Sequence, residues 1–183
     1  MKNTKLFMFA ACTLFLAACG KQTVKIMTPP DASNRILFSA EQLQSTLNKA
    51  GYQVMMQQGD TTFSDPEIKT ILLTEVNDTT LKKEGFHITT AGNLTRVCGR
   101  DGSGVIYGSR ELIDRVNDSE GKLNFPEELK DGPEMVLRGA CVGLQKMTYL
   151  PGHGVYEYPY TPESFPWFYD KEQWIKYLDM LVA

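Results

Sequence analysis

Two kinds of apolar spacing follow one another between residues 23 and 116 and predict a small α/β domain. Alternating or continuous apolar runs typical of strands lie at 23–27, 52–56, 68–76, 85–90 and 94–98. Apolar residues three and four positions apart predict one helix ending at Ala50 and a second at Val105–Val116. The order β-α-β-β-β-β-α favours an α/β (α+β) fold, with one small mixed sheet and both helices on one face, because that arrangement buries every apolar stripe.

The pattern changes after residue 116. Residues 117–134 are polar and contain Gly and Pro, which predicts a linker. Met135–Val142 is apolar and predicts a buried strand, and Lys171–Ala183 predicts an amphipathic helix. We interpret 135–183 as the first strand-loop-helix unit of a larger α/β domain that is truncated at residue 183. The alternative is that the last helix packs back on the preceding domain.

The first 18 residues predict a signal peptide. Two lysines precede the apolar run Leu6–Ala18, which is too short to span a bilayer. The run ends in Leu16-Ala17-Ala18-Cys19, which resembles the lipobox of bacterial lipoproteins. That resemblance implies cleavage before Cys19 and acylation of this residue, which makes 19–22 a lipidated tether. A plain secretory signal with a chance cysteine is the alternative.

Several acyl chains on Cys19 imply an extracytoplasmic protein anchored to a bacterial membrane, facing the periplasm or in the outer membrane. The formal net charge is -3 and no basic run is present, which excludes nucleic acid as an expected partner. Cys98 and Cys141 each lie in a predicted strand. A disulfide between them is compatible with export, but two separate buried thiols are favoured. No metal site and no cofactor are predicted, because the cysteines and histidines are not clustered.

A glycine-rich run, Gly99–Gly104, stands between a predicted strand and a predicted helix. This context suits a phosphate-binding loop, but the spacing matches neither of the two common motifs and no lysine follows it. A tight turn is the favoured interpretation, with Gly108 allowing the helix to approach the sheet closely. His87 lies in an alternating strand and is assigned no functional role.

Aromatic residues are concentrated between Tyr149 and Tyr169, where eight of the chain's aromatic side chains occur. Aromatic faces with a polar edge suit sugar rings, so the loop 143–170 is a candidate carbohydrate-binding segment. The candidate binding residues are His153, Tyr156, Tyr158 and Trp167, His153 because it lies between two glycines. The alternative is that the aromatic rings fill a gap between two domains.

Arg138 is unusual in an otherwise apolar predicted strand, because a charged side chain there must be paired or must face a cavity. Near the mouth of a parallel barrel its guanidinium would hold hydroxyls or a carboxylate. The alternative is a structural ion pair with one of the loop or helix acids.

Two segments carry a family resemblance. The strand beginning Glu84-Gly85-Phe86, followed by Gly99-Arg-Asp-Gly-Ser-Gly-Val-Ile-Tyr107-Gly108, resembles the small α/β domain that precedes the barrel in bacterial β-N-acetylhexosaminidases and α-glucuronidases. Pro133 to Gly139 is similar to the first barrel strand of those enzymes. The resemblance implies a (β/α)8 glycoside hydrolase downstream, with Arg138 contacting hydroxyls of the terminal sugar. Cys141 to Lys146 depart from the hexosaminidase pattern, which there has an Asp and an Arg.

These features predict the N-terminal part of a lipid-anchored glycoside hydrolase acting on extracytoplasmic glycans. The catalytic acids of such enzymes lie on later strands, so no catalytic residue is assigned and the chain alone is expected to be inactive. Its expected partners are a carbohydrate substrate, the membrane and the rest of the barrel. The alternative is a non-catalytic carbohydrate-binding lipoprotein that uses the aromatic loop 143–170.

Overall fold

The computed structural model of the chain describes residues 22–60, 66–140, 162–163 and 166–182. The elements in chain order are β1 Thr23–Thr28, α1 Asn34–Lys49, β2 Gln53–Gln58, β3 Lys69–Glu75, β4 Phe86–Ala91, β5 Leu94–Gly99, α2 Gly102–Asp118, β6 Glu128–Asp131, a 3₁₀ turn Pro166–Tyr169 and α3 Lys171–Val182.

The six strands form one mixed sheet in the order β2-β1-β3-β5-β4-β6. Strands β2, β1, β3 and β5 run parallel to one another, whereas β4 is antiparallel to both β5 and β6. Helices α1 and α2 pack on each other; α1 packs on β1, β2 and β3, and α2 packs on β3, β4 and β5. Both helices therefore lie on one face, and the predicted mixed α/β class is confirmed.

The main core lies between this helix pair and the sheet. Along each strand, residues that face the helices alternate with residues on the opposite face of the sheet. The fully buried members of this core include Val24, Ile26, Leu43, Leu47, Ile71, Leu73, Ile88, Val97, Val105 and Leu112. Burial of side chains of this size is the main source of stability of the domain.

The opposite face of the central strands is also shielded from solvent. Met27 is 2% exposed, Thr70 1% and Leu72 6%, and all three point away from the helices by strand alternation. Central parallel strands are commonly buried on both faces. Cys98 of β5 shares this face by register and is half-buried.

The predicted linker 117–134 is not a simple linker, because it contributes β6 to the sheet. Leu129 pairs with Ile88, and the β6 backbone extends the sheet by one antiparallel strand at its edge. His87 of β4 lies 3.2 Å from Glu128 through Nε2 and Oε1, which agrees with a structural role for this histidine.

The predicted strand Met135–Val142 is not formed over its described part, residues 135–140. Met135, Val136 and Leu137 are 67%, 98% and 90% exposed. A strand needs a neighbour to accept and donate its backbone hydrogen bonds, and none of the strands in the described ranges pairs with these residues. Cys141 and Val142 lie outside the described residues.

The last helix is formed as predicted, from Lys171 to Val182. Asp170 caps it, since its Oδ1 accepts hydrogen bonds from the backbone N–H groups of Glu172 at 3.0 Å and Gln173 at 3.1 Å. None of the side chains described for this helix is buried, and the helix packs against the 3₁₀ turn. No helix in the described parts of the chain has the length and apolar content needed to cross a membrane.

Candidate functional site

The first candidate site is built at the amino-terminal end of α2. Asp101 has an extended backbone and caps this helix, because its Oδ1 accepts a hydrogen bond from the backbone N–H of Gly104 at 3.0 Å. Its second oxygen, Oδ2, accepts the backbone N–H of Glu84 at 3.0 Å. One carboxylate therefore joins the start of α2 to the loop before β4.

Glu84 adopts a left-handed backbone conformation with φ of 62°, which is uncommon for a residue other than glycine. The hydrogen bond to Asp101 holds this conformation from one side. On the other side, the carbonyl of Gly85 accepts the backbone N–H of Arg100 at 2.9 Å. The strained turn directs the Glu84 carboxylate toward the segment that follows β6.

Three glycines let the backbones of this region converge. A Cβ on Gly104 would lie 2.2 Å from the carbonyl oxygen of Gly85, and a Cβ on Gly132 would lie 2.9 Å from the Gly85 Cα. Real side chains do not tolerate such distances, so the start of α2, the loop before β4 and the segment after β6 meet only because all three positions lack a side chain.

Arg138 closes the arrangement. Its Nη2 donates to the carboxylate of Glu84 and, at 3.0 Å, to the hydroxyl of Tyr107 in α2. Its Nη1 donates to the carbonyl oxygen of Met135, and its Cζ lies 5.5 Å from the centroid of the Tyr107 ring. The hydrogen bond to Glu84, followed by that to Tyr107, raises the pKa of Arg138 above its ordinary value. We call Glu84, Tyr107 and Arg138 the Arg138 cluster.

The structure thus places Arg138 in an ion pair with a loop acid, which was one of the two sequence-based alternatives. A cleft of about 490 Å³ lies beside the cluster, lined partly by Lys82, Glu84, Glu134 and Arg138. Lys82 Nζ lies 2.6 Å from Glu134 Oε1, and the two residues form an ion pair. Because both side chains are largely exposed, this ion pair adds little stability.

The glycine-rich turn has the geometry of a tight turn. A Cβ on Gly99 would lie 2.3 Å from the backbone nitrogen of Val105, and one on Gly108 would lie 2.6 Å from Val97 Cγ1. These glycines permit close helix-sheet packing, which agrees with the favoured interpretation. The carboxylate of Asp101 already occupies the helix N-terminus, where a phosphate would bind.

The second candidate site is aromatic. Trp167 of the 3₁₀ turn lies 6.1 Å from Trp174 of α3, centroid to centroid, and the rings are inclined at 41°. Trp174 Nε1 donates to the carbonyl oxygen of Phe168 at 2.8 Å, which fixes its ring. A cavity of about 190 Å³ is lined by Trp167, Gln173, Trp174 and Tyr177. Trp167 is 41% exposed, so its ring remains accessible to a ligand.

The candidate residues His153, Tyr156, Tyr158 and Cys19 lie outside the described residues. The structure adds Glu84 and Tyr107 as partners of Arg138, and Trp174 and Tyr177 as neighbours of Trp167. Tyr107 and Glu84 stand in the motifs that carry the family resemblance, which was the available signal. Trp174 was visible in the sequence only as part of an apolar helix stripe.

Two acidic residues of α2 form ion pairs on the helix surface. Asp114 pairs with Arg110, and Glu111 pairs with Arg115 at 2.7 Å. Such pairs at a spacing of four residues are typical of a solvated helix face. Within the described ranges, no three His, Cys, Asp or Glu side chains are grouped as a metal would require.

Comparison with known proteins found a structure with high sequence identity to this chain. No family model matches the chain, and no curated protein sequence matches it. Among solved structures, a GH138 enzyme targeting pectin rhamnogalacturonan II is 55% identical over 86% of this chain, with a TM-score of 0.69. A second structure, CpGH84D, is 15% identical over 59% of this chain, with a TM-score of 0.40, and the match covers 19% of the CpGH84D chain.

The chain spans 22% of the length of the GH138 enzyme. The 55% identity over most of the present chain is far above what a shared fold alone produces, so common ancestry explains it. The predicted resemblance to glycoside hydrolases is therefore confirmed. The chain is homologous to a segment of a glycoside hydrolase.

Proposed function

We propose that the chain is the N-terminal part of a lipid-anchored, extracytoplasmic glycoside hydrolase that acts on pectin rhamnogalacturonan II. The observation that supports this most strongly is the 55% identity to a GH138 enzyme described as targeting that glycan. At this identity over 86% of the chain, a related enzyme acting on a related polysaccharide is the simplest proposal.

The proposal assigns different roles to the parts of the chain. Residues 23–131 form a supporting α/β domain, and residues 135–183 begin the catalytic (β/α)8 barrel. A complete barrel needs about 250 residues, far more than this segment contains. The two carboxyl groups that hydrolysis generally requires are therefore proposed to lie in the remainder of the enzyme. Residues 1–183 alone are proposed to be inactive.

The aromatic surface is proposed to contact the glycan. Trp167, Trp174 and Tyr177 line a mostly apolar cavity, and stacking against the C–H face of a sugar requires such a surface. His153, Tyr156 and Tyr158 are also proposed to contact the glycan. In the assembled enzyme the surface would form one wall of the substrate groove.

Hydrolysis is the direct test of this proposal. The product of the whole natural reading frame is incubated with rhamnogalacturonan II oligosaccharides, and new reducing ends are measured. Residues 1–183 are assayed in parallel, with homogalacturonan as the control substrate. We expect hydrolysis of the first substrate by the whole product and none by the 183-residue chain. Absence of hydrolysis of the rhamnogalacturonan II oligosaccharides by the whole product would contradict the proposal.

The membrane anchor is tested separately with Cys19→Ala. The chain is expressed in a bacterium with labelled palmitate and then fractionated. We expect the label and membrane association with the natural sequence, and loss of both in the variant. Cys12→Ala is the matched control, because this cysteine lies inside the proposed signal peptide. Equal labelling of the natural chain and the Cys19→Ala variant would refute lipidation at Cys19.

A second candidate function is carbohydrate binding without chemistry. The exposed Trp167 ring and the cavity beside it favour this function, since they present a stacking surface within the described residues. Glycan binding by residues 1–183 in the absence of hydrolysis by the whole reading frame would support it.

A further inference from the structure

We propose that the Arg138 cluster is a positioning device that fixes the direction in which the chain leaves the α/β domain, and that Arg138 does not contact the sugar. This inference rests on the proposed function only where it concerns activity. Its structural part concerns residues 84–139 alone.

The donors of Arg138 are already used by the domain that precedes it. A guanidinium binds a planar acceptor through two adjacent N–H groups, either from its two terminal nitrogens or from Nε and Nη2. Both of these pairs include Nη2. In the structure, Nη2 donates to Glu84 and to Tyr107, so both pairs are blocked. A sugar carboxylate or a pair of hydroxyls would bind Arg138 bidentately only after displacing one of these partners.

The partners of Arg138 belong to rigid parts of the domain. Tyr107 lies in α2 between Ile106 and Gly108, which are both buried, and Gly108 packs against Val97 of the sheet. Glu84 is held at its backbone by Asp101, the residue that caps the same helix. The guanidinium is therefore fixed from two directions by one helix and the loop tied to that helix.

The segment that carries Arg138 has little else to hold it. Met135, Val136 and Leu137 are exposed, and residues 135–140 form no regular element. Upstream, the chain is fixed by β6 and by the contact of Gly132 with Gly85. Arg138 therefore supplies a second fixed point after β6, and two fixed points define the direction of the segment that follows.

Limited trypsin digestion of residues 1–183 tests this inference. Trypsin cleaves after Arg138 only when the arginine side chain enters the protease, so the Glu84 and Tyr107 contacts should slow cleavage. We expect Glu84→Gln to cleave roughly fivefold faster at Arg138–Gly139, the range of a partly exposed ion pair, and Tyr107→Phe to show a smaller increase. Fragments are identified by mass spectrometry.

Two controls separate release of Arg138 from unfolding. Glu134 is an exposed acid in the same cleft, and it pairs with Lys82 and not with Arg138. The Glu134→Gln variant should therefore be cleaved after Arg138 at the same rate as the natural chain. Cleavage after Lys130, inside β6, reports opening of the sheet and should not rise in any variant. Equal rates after Arg138 in the natural chain, Glu84→Gln and Tyr107→Phe would overturn the inference.

The product of the whole reading frame separates positioning from sugar binding. If the cluster positions the barrel, Glu84→Gln and Arg138→Met should lower kcat by similar factors, and the double variant should lose no more than the stronger single one. If KM rises in Arg138→Met while Glu84→Gln is unaffected, Arg138 binds the sugar and the inference is wrong. Absence of any glycosidase activity would refute the proposed function, and the trypsin experiment would still decide the positioning role.

Discussion

Asp101 and Glu84 are joined across 17 positions of sequence by a hydrogen bond of 3.0 Å, from the backbone N–H of Glu84 to Asp101 Oδ2. The same carboxylate caps α2 through its other oxygen. Because Glu84 has a left-handed backbone, this bond also stabilises a conformation that the residue would otherwise rarely adopt. One side chain therefore supports a helix start, a strained turn and, through that turn, the position of Arg138.

Replacing Asp101 by Ala should destabilise the α/β domain by about 2 kcal/mol, because it removes a helix cap and a second hydrogen bond. Asp101→Asn should be milder, since the amide keeps one oxygen to accept a backbone N–H. Urea denaturation followed by circular dichroism measures both variants. Asp118→Ala is the control, because an acid at the carboxyl end of α2 does not stabilise that helix. Equal stability of Asp101→Ala and the natural chain would contradict the proposed role of the carboxylate.

Replacing Gly104 by Ala should destabilise the domain by about 3 kcal/mol or more, at the upper end for overpacking. The new methyl group would lie 2.2 Å from the Gly85 carbonyl oxygen, and backbone atoms cannot move away as a flexible side chain can. Gly139→Ala is the matched control, since a Cβ there meets no atom within 4 Å. The melting temperature of Gly104→Ala should be clearly lower than that of Gly139→Ala. Similar melting temperatures would show that the start of α2 tolerates displacement.

Elements of the fold were predictable where apolar residues that become buried recur at a regular spacing along the chain. Ile36, Leu43 and Leu47 are spaced as a helix face requires, and all are buried in α1. Strand β6 was missed because Glu-Leu-Lys-Asp is short and polar, and an edge strand is held mainly by backbone bonds that leave no apolar pattern. Residues 135–140 show the opposite error, since an apolar run predicts a strand but cannot show whether a pairing partner is near.

The candidate site was predictable only in part. A charge within an apolar run predicts that Arg138 needs a partner, and a partner is present, although the burial assumed in that prediction is not observed, since residues 135–137 are exposed. Its partners lie 54 and 31 positions away, at Glu84 and Tyr107. No local pattern encodes contacts over such separations. The left-handed backbone at Glu84 was also invisible, because glutamate has no preference for that conformation.

The thiol of Cys98 should react slowly with alkylating reagents at neutral pH. Burial raises its pKa, while the charge of Arg96 partly offsets this effect. The pH at which alkylation of Cys98 reaches half of its maximal rate should therefore be higher than for a cysteine in a short peptide measured in parallel. Alkylation of Cys98 is followed by mass spectrometry. Because the folded state holds this proton more tightly than the unfolded state, the stability from Cys98 is fully present below the unfolded pKa and falls as pH rises toward the folded pKa. A half-maximal rate at or below the pH of the peptide would contradict the burial argument.

The aromatic surface offers a direct optical test of glycan binding. Trp167 and Trp174 are the two tryptophans of the chain, so its intrinsic tryptophan fluorescence reports on the aromatic surface that they form. Rhamnogalacturonan II oligosaccharides should shift the emission of residues 1–183 in a saturable way. Trp167→Ala should weaken binding about tenfold, because it removes one stacking face, and the remaining Trp174 still provides the signal.

Met180→Ala is the control for this titration. Met180 is exposed on the same helix but does not line the aromatic cavity. Its removal therefore changes the surface of α3 without changing the stacking face. If Trp167→Ala and Met180→Ala bind the glycan equally well, or if no oligosaccharide shifts the emission, the aromatic surface does not contact the glycan. Trp167, Trp174 and Tyr177 would then be structural, in agreement with the alternative that these rings fill a gap between domains.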